Sequence, residues 1–88
     1  MIISRHAQFK KSYKKRIMND AKLVRRVEER LKLFQNNPQH PLLRDHALTG
    51  SKHGYCAFSV TADIRIIYYR PDEETIILYD IGSHNQVY

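Results

Sequence analysis

The sequence predicts an α+β fold: a small antiparallel β-sheet with an N-terminal helical hairpin packed on one face, in the order β-α-α-β-β-β. Three observations lead there. Between Phe9 and Phe34 apolar residues recur at helical spacing, with one break at "MND". After Gly54 the period shortens to two, in three runs bounded by turn residues. The chain has only 88 residues and no linker, repeat or low-complexity tract, so residues 1–88 are read as a single domain. A domain of this size buries only about 60–65% of the surface of its unfolded chain, which favours an open groove over a deep cavity.

Each element has a local reason. "MII" is a β-branched opening and reads as a strand. Ser4 is the expected cap of a first helix, in which Phe9, Tyr13 and Ile17 repeat every four residues. Asn19 or Asp20 caps a second, carried by Leu23, Val24, Val27, Leu31 and Phe34 as far as the "NNP" stop. From Asn36 to Lys52 the chain is loop-like, punctuated by Pro38, Pro41 and Gly50. "YCAFSV", "IRIIYYR" and "TIILYDI" are the remaining strands, the last two joined by a "PDEE" turn. In the middle strand Ile64, Ile66 and Tyr68 share one face, and Arg65, Ile67 and Tyr69 the other. Only the second set is charged, so the helices are expected on the first and Arg65 on the open side.

The charge is lopsided. The net value is +6, but residues 1–44 carry +9 and residues 45–88 carry −3. Lys10, Lys11, Lys14, Lys15, Arg25 and Arg26 lie on the polar faces of the two helices. Such clustering suits a polyanionic partner, since Lys and Arg release counterions from phosphate backbones. Cys56 is the only cysteine, so no internal disulfide forms and a reducing cytoplasm is expected. The N-terminus lacks the apolar stretch of a signal peptide, and "IRIIYY" is far too short to cross a bilayer, so no membrane partner is expected.

Which chemistry the residues allow follows largely by exclusion. No CxxC or helical HxxxH is present, and Asp45, Asp63 and Asp80 are dispersed, so no metal site and no cofactor are expected. Gly-rich phosphate loops and a GxSxG elbow are absent. Each of the five histidines, taken singly, is more often a surface or structural residue than a catalyst. Together with an arginine they permit metal-free RNA cleavage. A base takes the 2′-hydroxyl proton, an acid protonates the departing 5′-oxygen, and a cation stabilises the phosphorane. His46 before the strands, Asp63 and Arg65 at the middle strand and His84 beyond the last are the residues that one open face could gather.

The stretch "RDHALTGSKHGYCAFSVTADIRIIYYR" followed by "LYDIGSHNQVY" resembles the RelE/ParE superfamily of bacterial type II toxins, and within it the YafQ-like mRNA endonucleases. The ordered blocks "DHxLxGxxxGY", "xxDxRIIY" and "GxHxxxY" carry the likeness. The resemblance implies a RelE-like fold and assigns His46, Asp63 and His84 acid–base and orienting roles, with His84 the proton donor. It sets Arg65 against the scissile phosphate and Tyr88 as a ring that stacks on an mRNA base in the ribosomal A site. It also implies a cognate antitoxin, acidic where it meets the basic helices, and contacts from Lys52 and the helical lysines and arginines to ribosome and RNA. This chain departs from the YafQ-like pattern at Ser59, where another histidine is usual, so a general base is missing or its work falls to His46. Ile64 replaces an aromatic, and Cys56, often Arg in relatives, is read as a packing residue. Two other functions fit parts of the sequence: gyrase inhibition, as in ParE-like toxins, and non-catalytic nucleic-acid binding through the basic half.

Overall fold

In the computed structural model, which describes residues 1–88, the expected elements form with additions at both ends of the loop region and at the tail. The order is β1 (Ile2–Arg5), α1 (Ala7–Arg16), α2 (Ala21–Asn36), β2 (His46–Ala47), β3 (Cys56–Ser59), β4 (Ile64–Tyr69), β5 (Thr75–Ser83) and α3 (His84–Val87). One five-stranded sheet runs β1-β5-β4-β3-β2. No helix is long and apolar enough to cross a membrane.

The sheet is mixed rather than wholly antiparallel. β2 to β5 pair antiparallel, but β1 lies parallel to β5, Ile2 opposite Thr75 and Arg5 opposite Leu78. Period-two alternation tells which face a side chain takes and carries no information on the direction of the neighbouring strand. β1 reaches the sheet through the helical hairpin rather than a tight turn, so no turn geometry forces it antiparallel. Its ladder is closed by Ile2 N–H donating to Glu74 O at 2.7 Å and His6 N–H to Leu78 O at 2.8 Å.

Because β1 continues through Ser4 and Arg5, the cap of α1 moves to His6, whose Nδ1 accepts from Gln8 N–H at 3.0 Å. Asp20 caps α2 as its sequence suggests, accepting from Lys22 and Leu23 N–H at 3.0 and 3.2 Å. The helices cover the face of Ile64, Ile66 and Tyr68. There Phe9, Ile17, Val27 and Phe34 bury against Phe58, Ile76, Leu78 and Ile81. Phe34 stacks on Phe58 with ring centroids 4.5 Å apart and meets the edge of Tyr68 at 5.1 Å.

A β-bulge in β5 resets its alternation. Ile67 stands opposite Asp80 and Tyr68 opposite Leu78, which leaves Tyr79 as the extra residue. Ile76 and Leu78 face the helices before the bulge and Ile81 faces them after it, so Asp80 and Gly82 turn to the second face. That face is not fully open. Ala57, Ile67 and Val87 form a small second core, with Leu48 and Tyr55 packed against it.

Candidate functional site

The second face acquires its site from both edges. On one side is α3, a single turn too short to be stable alone. Val87 anchors it, 3% exposed against Ala57 and Ile67. Gln86 Oε1 accepts from Ser83 N–H at 2.7 Å, one half of a Ser-x-x-Gln capping box. His84 and Tyr88, four residues apart, then fall on one side of the turn, and their rings meet edge-to-face at 4.6 Å. Tyr88 remains 43% exposed.

A third anchor comes from the far helix. Beyond Arg5–Leu78 the edge of β5 has no strand partner. Arg16 Nη1, at the end of α1, donates to Ile81 O at 3.0 Å and pairs with Asp80 Oδ1 at 3.5 Å. A Cβ at Gly82 would lie 2.8 Å from Arg16 Nη1, 2.8 Å from Gln86 Oε1 and 3.1 Å from Gln86 Cβ. The glycine is needed for this close approach of α1, β5 and α3. Sequence reasoning missed the arrangement, because simple alternation turns Asp80 towards the helices with Ile76 and Leu78.

On the other side stands β2. His46 pairs with Ala57 and Ala57 with Ile67, so His46 lies on the face of the second core. The preceding Asp45 accepts from the buried Tyr68 hydroxyl at 2.6 Å. Burial, then this hydrogen bond, push the Tyr68 phenol well above its ordinary pKa. His46 Nδ1 is 2.8 Å from Arg44 O. A carbonyl only accepts, so Nδ1 is the donor, and in the neutral ring the lone pair is on Nε2.

His46, Leu48, Thr49, Lys52 and Tyr88 line a shallow groove of about 370 Å³. Arg65 flanks it. Its Nη1 donates to Thr61 O at 2.9 Å, folding the side chain back on the turn before β4, and donors remain free for an anion. Burial raises the Tyr88 phenol's pKa, and the nearby Arg65 charge offsets part of the rise. Of the expected residues, His46, Lys52 and Tyr88 line the groove, His84 touches Tyr88, and Arg65 lies near enough to act on the Tyr88 phenol. Asp63 stands apart in the turn before β4. It is exposed, and its N–H donates to Thr61 Oγ1 at 3.2 Å while its carboxylate takes no hydrogen bond. Lys10, Lys11, Lys14, Lys15, Arg25 and Arg26 are exposed on the helical layer, and none of them lines the groove. Ser59 is buried beside Arg65.

Two of the other histidines have structural work. His6 caps α1, and His40 Nδ1 accepts from Leu42 N–H at 3.1 Å at the Pro41–Leu43 turn. No three histidine, cysteine or carboxylate groups approach closely enough to hold a metal ion.

Comparison with known proteins agrees with this architecture. A search of curated proteins gave no match. Among solved structures, YafQ from E. coli superposes with a TM-score of 0.82 at 25% identity, covering 98% of this chain and 96% of that one. The toxin in the E. coli DinJ–YafQ complex gives 0.79, with the same identity and coverage. A YoeB/ParE toxin from Agrobacterium tumefaciens shares the fold, with a TM-score of 0.78 at 19% identity over 96% of this chain and 99% of that one. The family model described as "Bacterial toxin of type II toxin-antitoxin system, YafQ" matches residues 1–88 from end to end. The chain therefore belongs to the YafQ family of bacterial type II toxin–antitoxin toxins.

Proposed function

We propose that this toxin is an endoribonuclease that cuts translated mRNA in the ribosomal A site by acid–base catalysis. The observation that carries the reading is the pair of unlike imidazoles at one groove. His46 has its Nδ1 proton committed to Arg44 O, so Nε2 is the basic atom. His84 lies against Tyr88, which lines the groove facing His46.

His46 Nε2 removes the 2′-hydroxyl proton and the oxygen attacks phosphorus. The bond to the 5′-oxygen breaks as His84 delivers a proton to it, leaving a 2′,3′-cyclic phosphate. Arg65 meets the charge that builds on the phosphorane oxygens. Tyr88 stacks on an unpaired base, and Lys52 takes a neighbouring phosphate. With no histidine at Ser59, His46 serves as base alone, and the exposed Asp63, whose carboxylate takes no hydrogen bond, has no part in the step. The basic helices grip ribosomal RNA, and the lysines and arginines of both helices are where an acidic antitoxin segment would compete. The E. coli relative's complex with DinJ supports an antitoxin partner of this kind.

The test is cleavage of one message, free and translated, beside a gyrase supercoiling assay. Cleavage of the translated message far above that of naked RNA, with supercoiling untouched, is expected. Equal rates on both RNAs would remove the A-site step, and supercoiling inhibition without RNA cleavage would replace the whole reading.

A further inference from the structure

Outside the groove, three guanidinium groups meet at the open edge of β3. Arg26 and Arg30 are one turn apart on α2, and Arg44 follows the Pro41–Leu43 turn. With Leu42, Ser59 and Thr61 they line a cleft of about 320 Å³. β2 pairs only with Cys56 and Ala57, so the Ser59 carbonyl has no partner from β2. Arg30 Nη1 donates to it at 3.3 Å and to Leu42 O at 3.0 Å, which fixes that guanidinium in the cleft wall.

The other two are almost unpaired. Arg26 has only Glu29, at 3.8 Å on the exposed surface, and Arg44 makes no ion pair. Burial and then the Arg26 charge pull the Arg30 pKa down, with Glu29 opposing. Three positive groups are crowded here with a single exposed carboxylate, Glu29, beside them. Arg44 is also the one non-glycine residue at positive φ, at φ 48° and ψ 40°. Glycine or asparagine tolerates that conformation better, yet position 44 carries a long cation.

The cleft shares two backbone segments with the groove. Arg44 O receives the His46 Nδ1 proton, and Thr61 O receives Arg65 Nη1. Only one residue separates Arg44 from His46, and Arg65 is tied directly to the cleft wall. A ligand spanning both must therefore present one anion after another at short intervals, as a nucleic acid strand does at every nucleotide.

We propose that the Arg26–Arg30–Arg44 cleft is a second phosphate subsite for single-stranded RNA, holding a phosphodiester next to the one at Arg65. The proposal rests on the reading of this toxin as an RNA-cutting enzyme, and its test separates the two. The probe is a 2′-O-methyl oligonucleotide, which cannot be cut because its 2′-oxygen carries no proton. Its binding to the purified toxin is followed by fluorescence anisotropy across a salt series. Arg26→Gln/Arg44→Gln should flatten the log–log salt slope by about 1.4, since each single-strand phosphate contact contributes about 0.7. Arg44→Gly should flatten it by about 0.7 while raising the melting temperature, because it relieves the backbone and removes the cation. Unchanged slopes in both folded variants overturn the subsite. So does loss of affinity for a glutamate-rich peptide with RNA binding intact, which would give the cleft to a protein carboxylate. His84→Ala reports on the enzyme reading alone. If it cuts like wild type while the double variant still loses its slope, the catalytic assignment fails and the phosphate subsite stands.

Discussion

His46 and His84 are the same side chain in unlike surroundings, and the proposed mechanism gives them opposite roles. One has its Nδ1 proton tied to a main-chain carbonyl, and the other leans on an aromatic edge. If His84 is the acid, His84→Ala should leave melting unchanged and slow cleavage by about 10²- to 10⁴-fold, the usual worth of general acid catalysis. Tyr88→Ala should weaken mRNA positioning by about 1–3 kcal/mol, the value of a stacked base, and Tyr88→Phe should restore most of it. Both are read by cleavage rate at saturating and sub-saturating message. If either change merely loosens the last turn, melting falls and the rate of the folded enzyme does not. The identities of these residues were legible because they sit in short motifs with fixed spacing. The His46 tautomer was not, since it depends on where one carbonyl points after a left-handed residue.

At the scale of elements, a four-residue helix holds two of the site's rings, and its stability is borrowed from its neighbours. Val87 in the second core, Gln86 on Ser83 and Arg16 against Ile81 and Asp80 hold it from three directions. Gly82→Ala would drive a methyl into Arg16 and Gln86. We expect a loss of about 1–3 kcal/mol, the range for overpacking, and a drop in cleavage as His84 and Tyr88 shift. Urea melts and loss of the His84–Tyr88 ring contact by NMR check it. Normal cleavage in folded Gly82→Ala would mean that α3 tolerates rearrangement. The sequence announced the two helices and the last three strands well, because each is a periodic run bounded by a cap or turn residues. It announced the Ser83–Gln86 cap too, in four letters that are easily taken for a frayed tail. The bulge at Tyr79 had no such signal. It arises from pairing with β4, and without it Asp80 would be driven among the core side chains.

Across the whole molecule, the core and the site are joined at Tyr68. Its ring packs with Phe34 and Phe58, and its hydroxyl holds Asp45, the residue before His46. Tyr68→Phe should cost about 0.5–1.5 kcal/mol at neutral pH, the net worth of one hydrogen bond. The sign of the pH dependence follows from the raised pKa. The folded phenol stays protonated where the unfolded one, with its ordinary value of 10.0, ionises. The Tyr68 contribution is therefore complete below about pH 10 and shrinks as pH rises further, because the unfolded state then binds fewer protons. Wild type and Tyr68→Phe should converge in stability above pH 10, measured by urea unfolding at several pH values. A constant gap would show that the phenol titrates normally. The charge map is also a whole-molecule property. Asp72, Glu73 and Glu74 lie in the turn between β4 and β5, while Lys52 lines the groove and three arginines line the cleft at the edge of β3.

The parallel pairing of β1 with β5 has a consequence for how the protein is born. The first strand waits for the last, because Ile2 must find Thr75 and α1 packs chiefly on β5. From the end of α2 at Asn36 to the end of β5 at Ser83 is 47 residues of synthesis, roughly 2–9 s at about 5–20 residues per second, in which both helices exist with no complete sheet to cover them. Such a topology defers folding until nearly all of β5 exists. The toxin therefore has no assembled groove until nearly all of β5 has been made. In that interval the nascent amphipathic helices lie open to whatever partner arrives first.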